Sequence, residues 1–369
     1  MASLLKDVYD TAFFDHFTTI LANAAPKLDK KVFLAAVHDE QWPVRELKQR
    51  MKHIAAVLHQ MLPGTYEHQL RSIERIIAHL SENRRNDHGF EYMFFAEFVE
   101  LFGLPHVPAS LRAMEFITQF TSCEFAVRPF IKAHPEQLMQ QMLSWSEHPQ
   151  HTVRRFSSEG CRPRLPWGMA LHALQKDPKP VLPILENLKN DPSEFVRRSV
   201  ANNLNDIAKD HPELVLQLAK KWLGHSAETD WVVKHGCRTL LKRGHAEALG
   251  LFGWSAVPSV QIKNLALKNN TFPVGAYLEF AFDLQHDGAT PCDLRLEYAI
   301  DYLKSNGKHN RKVFKITENT YNPGEVYRIS RRQSFQDMTT RKHYPGVHRL
   351  TIVVNGKDSG SVEFEIYKD

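Results

Sequence analysis

Cysteine chemistry and membrane insertion are both missing from this 369-residue chain. Its four cysteines, Cys123, Cys161, Cys237 and Cys292, stand far apart with no CxxC pair, which excludes a disulfide framework and a zinc-ribbon spacing. No HExxH or His-x-His cluster with an acidic partner occurs among the 20 histidines, so no metal site is expected. No uninterrupted apolar run approaches the length that spans a bilayer, and no charged-plus-apolar signal opens the chain. A reducing cytoplasm is therefore the expected compartment. Excess charge is also lacking: a formal +5 is mild for this length, so any basic surface must be local. With 43% hydrophobic and 24% charged residues the composition is that of a globular protein. The length favours two domains.

Residues 1 to about 255 read as helices. The segments "ELKQRMKHIAAVLHQML" and "ELVLQLAKKWL" repeat apolar residues at i, i+3, i+4 and i+7, the period of a helix with one buried face. The opening "MASLLKDVYDTAFF" reads as an amphipathic helix as well. The segments "AHPEQLMQQMLSWSEHPQHTVRRFSSE", "KDPKPVLPILENLKNDPSEFVRRSVANNL" and "KDHPELVLQLAKKWLGHSAETDWVVKHGCRTL" resemble one another. Each has a Pro-led helix, a turn, and a second helix opening on Val with basic residues. Val153, Val196 and Val233 lie 43 and 37 residues apart, the period of HEAT-type helical pairs, which stack into a solenoid.

At Val257 the pattern changes. Seven runs, from "VQIKNLAL" to "SVEFEIY", alternate apolar and polar residues, and Asn355-Gly356 marks a hairpin between two of them. The expected fold is thus multidomain: an all-α HEAT-like helical solenoid over 1–256, then an all-β immunoglobulin-like sandwich over 257–369. Trp222, Trp231 and Trp254 are expected in the core.

On a helical wheel Arg198, Asn202 and Asp206 form one stripe, and Arg155 and Glu159 form its counterpart one repeat earlier. The third repeat supplies Lys234, Arg238 and Lys242, or His235, Thr239 and Arg243, depending on register. Stacked repeats set these stripes side by side as one polar strip of cations holding two carboxylates. Cations suit a phosphate backbone. Carboxylates repel it, unless they act on something positive, such as a sugar losing its base through an oxocarbenium-like state. A solvated face of i,i+4 ion pairs is the alternative.

The run "RRFSSEGCRPRLPWG", followed by "DPSEFVRRSVANNLNDIAKDHPELV", resembles the AlkC family of bacterial DNA alkylation-repair glycosylases, and the related AlkD family shares the HEAT-like fold. The resemblance covers nearly the whole chain, since AlkC-type proteins also carry a C-terminal immunoglobulin-like domain. It implies a monofunctional enzyme that hydrolyses the N-glycosidic bond of cationic bases of the 3-methyladenine and 3-methylcytosine type, without base flipping, and leaves an abasic site. It implies double-stranded DNA as partner, no cofactor, and a monomer in the bacterial cytoplasm, at the nucleoid when bound to DNA. Glu159, Asp206 and Glu124 are the implied catalytic residues; the wheel reaches the first two but not Glu124. Trp167 corresponds to the family's lesion-side aromatic. Arg155, Arg162, Arg164, Arg198 and Arg238 are implied DNA contacts, with Asn202 beside them. AlkD-type proteins follow their cleft Trp with acids, whereas "WGMAL" here has none. The sandwich segment "SNGKHNRKVF" offers Lys308, Arg311 and Lys312 to the duplex, or is a solvated hairpin. The competing function is a non-catalytic HEAT-repeat module that binds DNA or protein.

Overall fold

A computed structural model describes residues 4–26, 28–82, 89–255, 259–338 and 341–368. It divides into two compact units, one of residues 1–210 with 222–236 and the other of 211–221 with 237–369. The boundary expected at 256/257 lies outside the described residues; the last helix ends at Leu251 and the first strand begins at Val260. No described helix is long and apolar enough to cross a membrane.

The first unit is helical throughout. Its opening differs from the expected single helix. A short 3-10 turn, Leu5–Val8, precedes the helix Thr11–Ala24. The break falls at Asp10, whose carboxylate accepts from the Phe13 amide at 2.8 Å and caps that helix. Leu47–Met61 is helical as its period predicts, burying Met51, Ile54, Ala55 and Leu58.

The internal repeat has a structural signature. Trp145 donates to Glu115 Oε2 at 2.7 Å, and Trp222 donates to Glu186 Oε2 at 2.8 Å. The first arginine of each "VRR" folds back on its own turn: Arg154 Nη1 onto the His148 and Pro149 carbonyls at 2.9 and 2.8 Å, Arg197 Nη1 onto those of Asp191 and Pro192 at 2.6 and 3.0 Å. Val153, Val196 and Val233 are buried alike. The helix His151–Gly160 packs on Glu194–Ile207, which packs on Ala227–Gly236. Trp231 departs from the core expectation. It is half-exposed and stacks on His235, while Trp145 and Trp222 are buried.

Among its described residues the second unit carries eight strands: β1 (Val260–Leu267), β2 (Thr271–Pro273), β3 (Tyr277–His286), β4 (Cys292–Leu303), β5 (His309–Tyr321), β6 (Val326–Ser334), β7 (Gly346–Val354) and β8 (Lys357–Tyr367). One sheet has the order β1-β3-β6 and the other β2-β8-β7-β4-β5. Alternation fills the core between them: Leu278, Phe280, Phe282 and Leu284 of β3 are buried together with Leu294, Leu296 and Ile300 of β4 and Leu350 and Ile352 of β7. The Asn355-Gly356 turn forms where its sequence predicts, both residues at positive φ, and Asn355 Oδ1 accepts from the Arg295 amide at 2.7 Å. Trp254 is buried under the Arg295 guanidinium.

Candidate active site

The residues of "RRFSSEGCRPRLPWG" converge with two more distant segments. The helix His151–Gly160 turns Val153, Phe156 and Gly160 into the core. A Cβ on Gly160 would fall 2.8 Å from Val127 Cγ1, so only glycine lets the helix end approach the helix Val127–Ala133 this closely. The same helix end carries Glu159 against Ser199 of Glu194–Ile207.

Three carboxylates, Glu124, Glu159 and Asp206, are joined by two arginines. Arg162 Nη1 donates to Glu159 Oε1 at 2.6 Å, and its Nε donates to Asp206 Oδ2 at 2.9 Å. Arg155 pairs with Glu124, donates to Ser122 Oγ at 2.9 Å, and lies 3.7 Å from Glu159 Oε1. The second oxygen of Glu159 accepts from Ser199 Oγ at 2.6 Å, and that of Asp206 from Lys209 Nζ at 2.9 Å. The Ser158 and Ser199 hydroxyls are 2.5 Å apart, tying the two helices directly. Of the polar strip expected from the wheel, Arg155, Glu159 and Asp206 belong to one bonded cluster across adjacent helices, linked through Arg162.

The carboxylates differ in access. Glu159 and Asp206 are only 5% and 1% exposed, and Arg162 is 6% exposed. Burial alone would raise the Glu159 carboxyl; Arg155 and Arg162, with Ser199, outweigh it and hold the group below its ordinary value. For Arg162, burial opposes the charge, yet Glu159 and Asp206 raise the guanidinium overall. Glu124 instead sits in the turn ahead of Val127–Ala133 and lines a cavity of about 290 Å³ with Lys48, Met51, Phe90, Phe125 and Trp167. Trp167 is 70% exposed, at a positive φ of 63° on the Pro-Trp-Gly turn. Lys48 Nζ donates to its carbonyl at 3.2 Å and lies 4.3 Å from the centre of the Phe125 ring.

The remaining arginines scatter. Arg164 is bidentate on Asp210, at 3.0 and 2.7 Å. Arg198 is exposed and pairs with Glu194 four residues earlier. Asn202 is half-buried on the same helix. Arg238 begins the short helix Arg238–Lys242 and belongs to the second unit. Of the basic sandwich residues, Lys308 is exposed in a turn, but Arg311 and Lys312 are on β5, not in a loop. Arg311 donates to Asp358 at 2.5 Å, and burial lowers the Lys312 ammonium.

No period or motif singles out Lys48 or Arg128. Arg128 is fully buried, donating from Nε to the Met169 carbonyl at 2.5 Å and from Nη1 to the Gly160 carbonyl at 2.9 Å. Burial lowers it to about 10. Chemically, the cavity offers one carboxylate, Glu124, beside an accessible aromatic face, which suits a centre that becomes positive during reaction.

Residues 113–240 match the family profile described as "DNA alkylation repair enzyme". Residues 261–368 match that of the "Uncharacterised protein YhaZ, C-terminal Ig-like domain". The chain is 41% identical to the protein YhaZ of Bacillus subtilis (strain 168) over 362 residues, 98% of this chain and 99% of the relative. The solved structure of Pseudomonas fluorescens alkylpurine DNA glycosylase AlkC, bound to DNA containing an abasic site analog, superposes with a TM-score of 0.93 at 36% identity. The match covers 99% of this chain and all of that one.

Proposed function

The chain belongs to the AlkC family of DNA alkylation-repair enzymes, and from that premise we propose that it is a monofunctional DNA glycosylase for cationic N-alkylated bases. Its substrates are bases of the 3-methylcytosine and 3-methyladenine type in double-stranded DNA; the product is an abasic site. The observation that carries this is the bonded cluster of Glu124, Glu159 and Asp206 beside the exposed Trp167. An N-alkylated base already carries positive charge and leaves as a neutral molecule, so no strong general acid is needed. What the reaction needs is fixed negative charge where the sugar becomes oxocarbenium-like, and a directed water.

In this mechanism Glu124, the carboxylate that lines the cavity with Trp167, meets the developing charge and orients the water. Glu159 and Asp206 act from behind, through Arg155 and Arg162, as preorganised charge. Trp167 presents its face to sugar and base by CH–π and cation–π contact. Its exposure on a surface turn favours excision without extruding the base into an enclosed pocket. Arg155, Arg198 and Asn202, with Arg164, Arg238 and the sandwich cations Lys308, Arg311 and Lys312, are assigned to holding the duplex. The enzyme works as a cytoplasmic monomer.

The test is release of methylated bases from methylated duplex DNA by wild type and by Glu124→Gln, Glu159→Gln and Asp206→Asn. We expect wild type to release base and leave alkali-labile sites. Glu124→Gln should lose about a hundredfold in rate with DNA binding retained. No release by wild type, or unimpaired release by all three variants, would reject the proposal.

A further inference from the structure

Trp167 holds a backbone conformation that ordinary residues avoid. A non-glycine residue at positive φ is strained and persists only where its surroundings over-determine it. Three sets of contacts surround this turn. Gly168 N donates to the Leu165 carbonyl at 3.1 Å, and Leu171 N to that of Pro163 at 3.2 Å. Lys48 holds the Trp167 carbonyl from the cavity side. Arg128 holds the segment from beneath, bonding Gly160 at its start and Met169 at its end. The guanidinium lies directly under the turn: a Cβ added to Gly168 would come within 3.3 Å of Arg128 Cδ and Nε.

A buried arginine usually answers a carboxylate. Arg128 answers two carbonyls, and its Nη2 makes no hydrogen bond. A leucine or methionine would fill the space without that cost, so stability alone is a poor reason for a guanidinium here. Its fork does what an apolar side chain cannot: it fixes the end of the helix carrying Glu159 relative to the turn carrying Trp167. We propose that Arg128 is a positioning residue of the glycosylase site, clamping the 160–169 segment so that aromatic and carboxylates keep one spacing. The proposal rests on the glycosylase function, but the clamp can be tested apart from it.

The variants are Arg128→Met and Arg128→Lys, with Arg50→Met as control. Arg50 is also buried and bonds two backbone carbonyls, those of Arg45 and Lys6, and none of the three lines the cavity. The first readout needs no activity. Trypsin can cut the clamped segment after Arg164, whereas Pro163 blocks the bond after Arg162. Arg128→Met is expected to speed cleavage after Arg164 by at least about tenfold, as a local opening released from its tie. Arg50→Met should leave that rate unchanged. The second readout is excision: Arg128→Met should lower kcat by about tenfold to a hundredfold while KM stays within about threefold, and Arg128→Lys should recover part of the loss. Wild-type cleavage and excision in Arg128→Met, or equal effects of Arg50→Met, would overturn the proposal. If Arg128→Met fails to fold, Arg128→Lys decides, since one ammonium cannot span both carbonyls; wild-type behaviour there overturns it too. If wild type releases no base, the glycosylase function fails, and the cleavage rates still decide the clamp.

Discussion

Replacing Arg162 by methionine tests whether this arginine builds the site or holds DNA. By sequence, Arg162 is a duplex contact; in the fold it is 6% exposed and bonds both Glu159 and Asp206. Removing one partner of a buried ion network leaves uncompensated charge and costs about 3–5 kcal/mol. Here two carboxylates lose a partner, although Ser199 and Lys209 still hold one oxygen of each. At about 2–4 °C per kcal/mol for a unit of this size, Tm should fall by roughly 6–20 °C. Arg198→Met is the counterpart. Its side chain is 61% exposed and pairs with the equally exposed Glu194, so its stability should change by less than about 1 kcal/mol. The assays are thermal unfolding followed by circular dichroism, and DNA affinity measured across salt concentrations. A lost phosphate contact lowers the slope of log K against log salt by about 0.9. Arg198→Met should show that drop and Arg162→Met should not. An Arg162→Met protein within about 2 °C of wild type, or one whose salt slope falls by about 0.9, would refute the assignment.

Other outcomes follow from the same geometry. Trp167→Ala should leave stability within about 0.5 kcal/mol, because the side chain is 70% exposed, yet lower excision roughly tenfold, read from single-turnover base release. Glu97 is buried with one oxygen unbonded, and burial, then Glu100, raise it from 4.5 to about 7 against the pull of Lys48 and Lys52. A raised carboxyl binds its proton more tightly folded than unfolded, so stability is full below the unfolded value and declines as pH rises from about 4.5 to about 7, by up to about 3 kcal/mol. Urea unfolding should show that decline in wild type and lose it in Glu97→Gln. Replacing Lys308, Arg311 and Lys312 together by serine should reduce the salt slope by about 0.9 for each phosphate these residues contact; an unchanged slope removes the sandwich from the DNA interface.

The helical period placed Leu47–Met61, and alternation placed β1 at Val260–Leu267, because in both one face is buried throughout. The three-residue β2 escaped, since Thr271–Pro273 is too short to alternate and ends on a proline. Trp231 was misplaced because a helical wheel gives direction but not which neighbour covers it. In the site, Glu159 and Asp206 were legible on neighbouring stripes of two stacked helices. Glu124 was not, for it lies in a turn where no period operates, and the family motif alone supplied it. Arg128 left no local signal: its partners are carbonyls 32 and 41 residues away, and any residue type supplies a carbonyl. The same blindness made Arg162 look like a free cation.

The lattice of bonded charges resolves the conflict between acids and a polyanion. Glu124, Glu159 and Asp206 are matched by Arg155, Arg162 and Lys209, each cation in direct contact with at least one of them. Summed over the group the charge cancels, so at the distance of a phosphate the duplex meets no net negative surface and no repulsion from the acids. Close up the balance is local: of the three acids Glu124 lines the cavity, which Lys48 and Trp167 line as well. The cluster is thus neutral at long range, and its one carboxylate open to the cavity shares that space with the Trp167 ring and with Lys48 as a counter-charge.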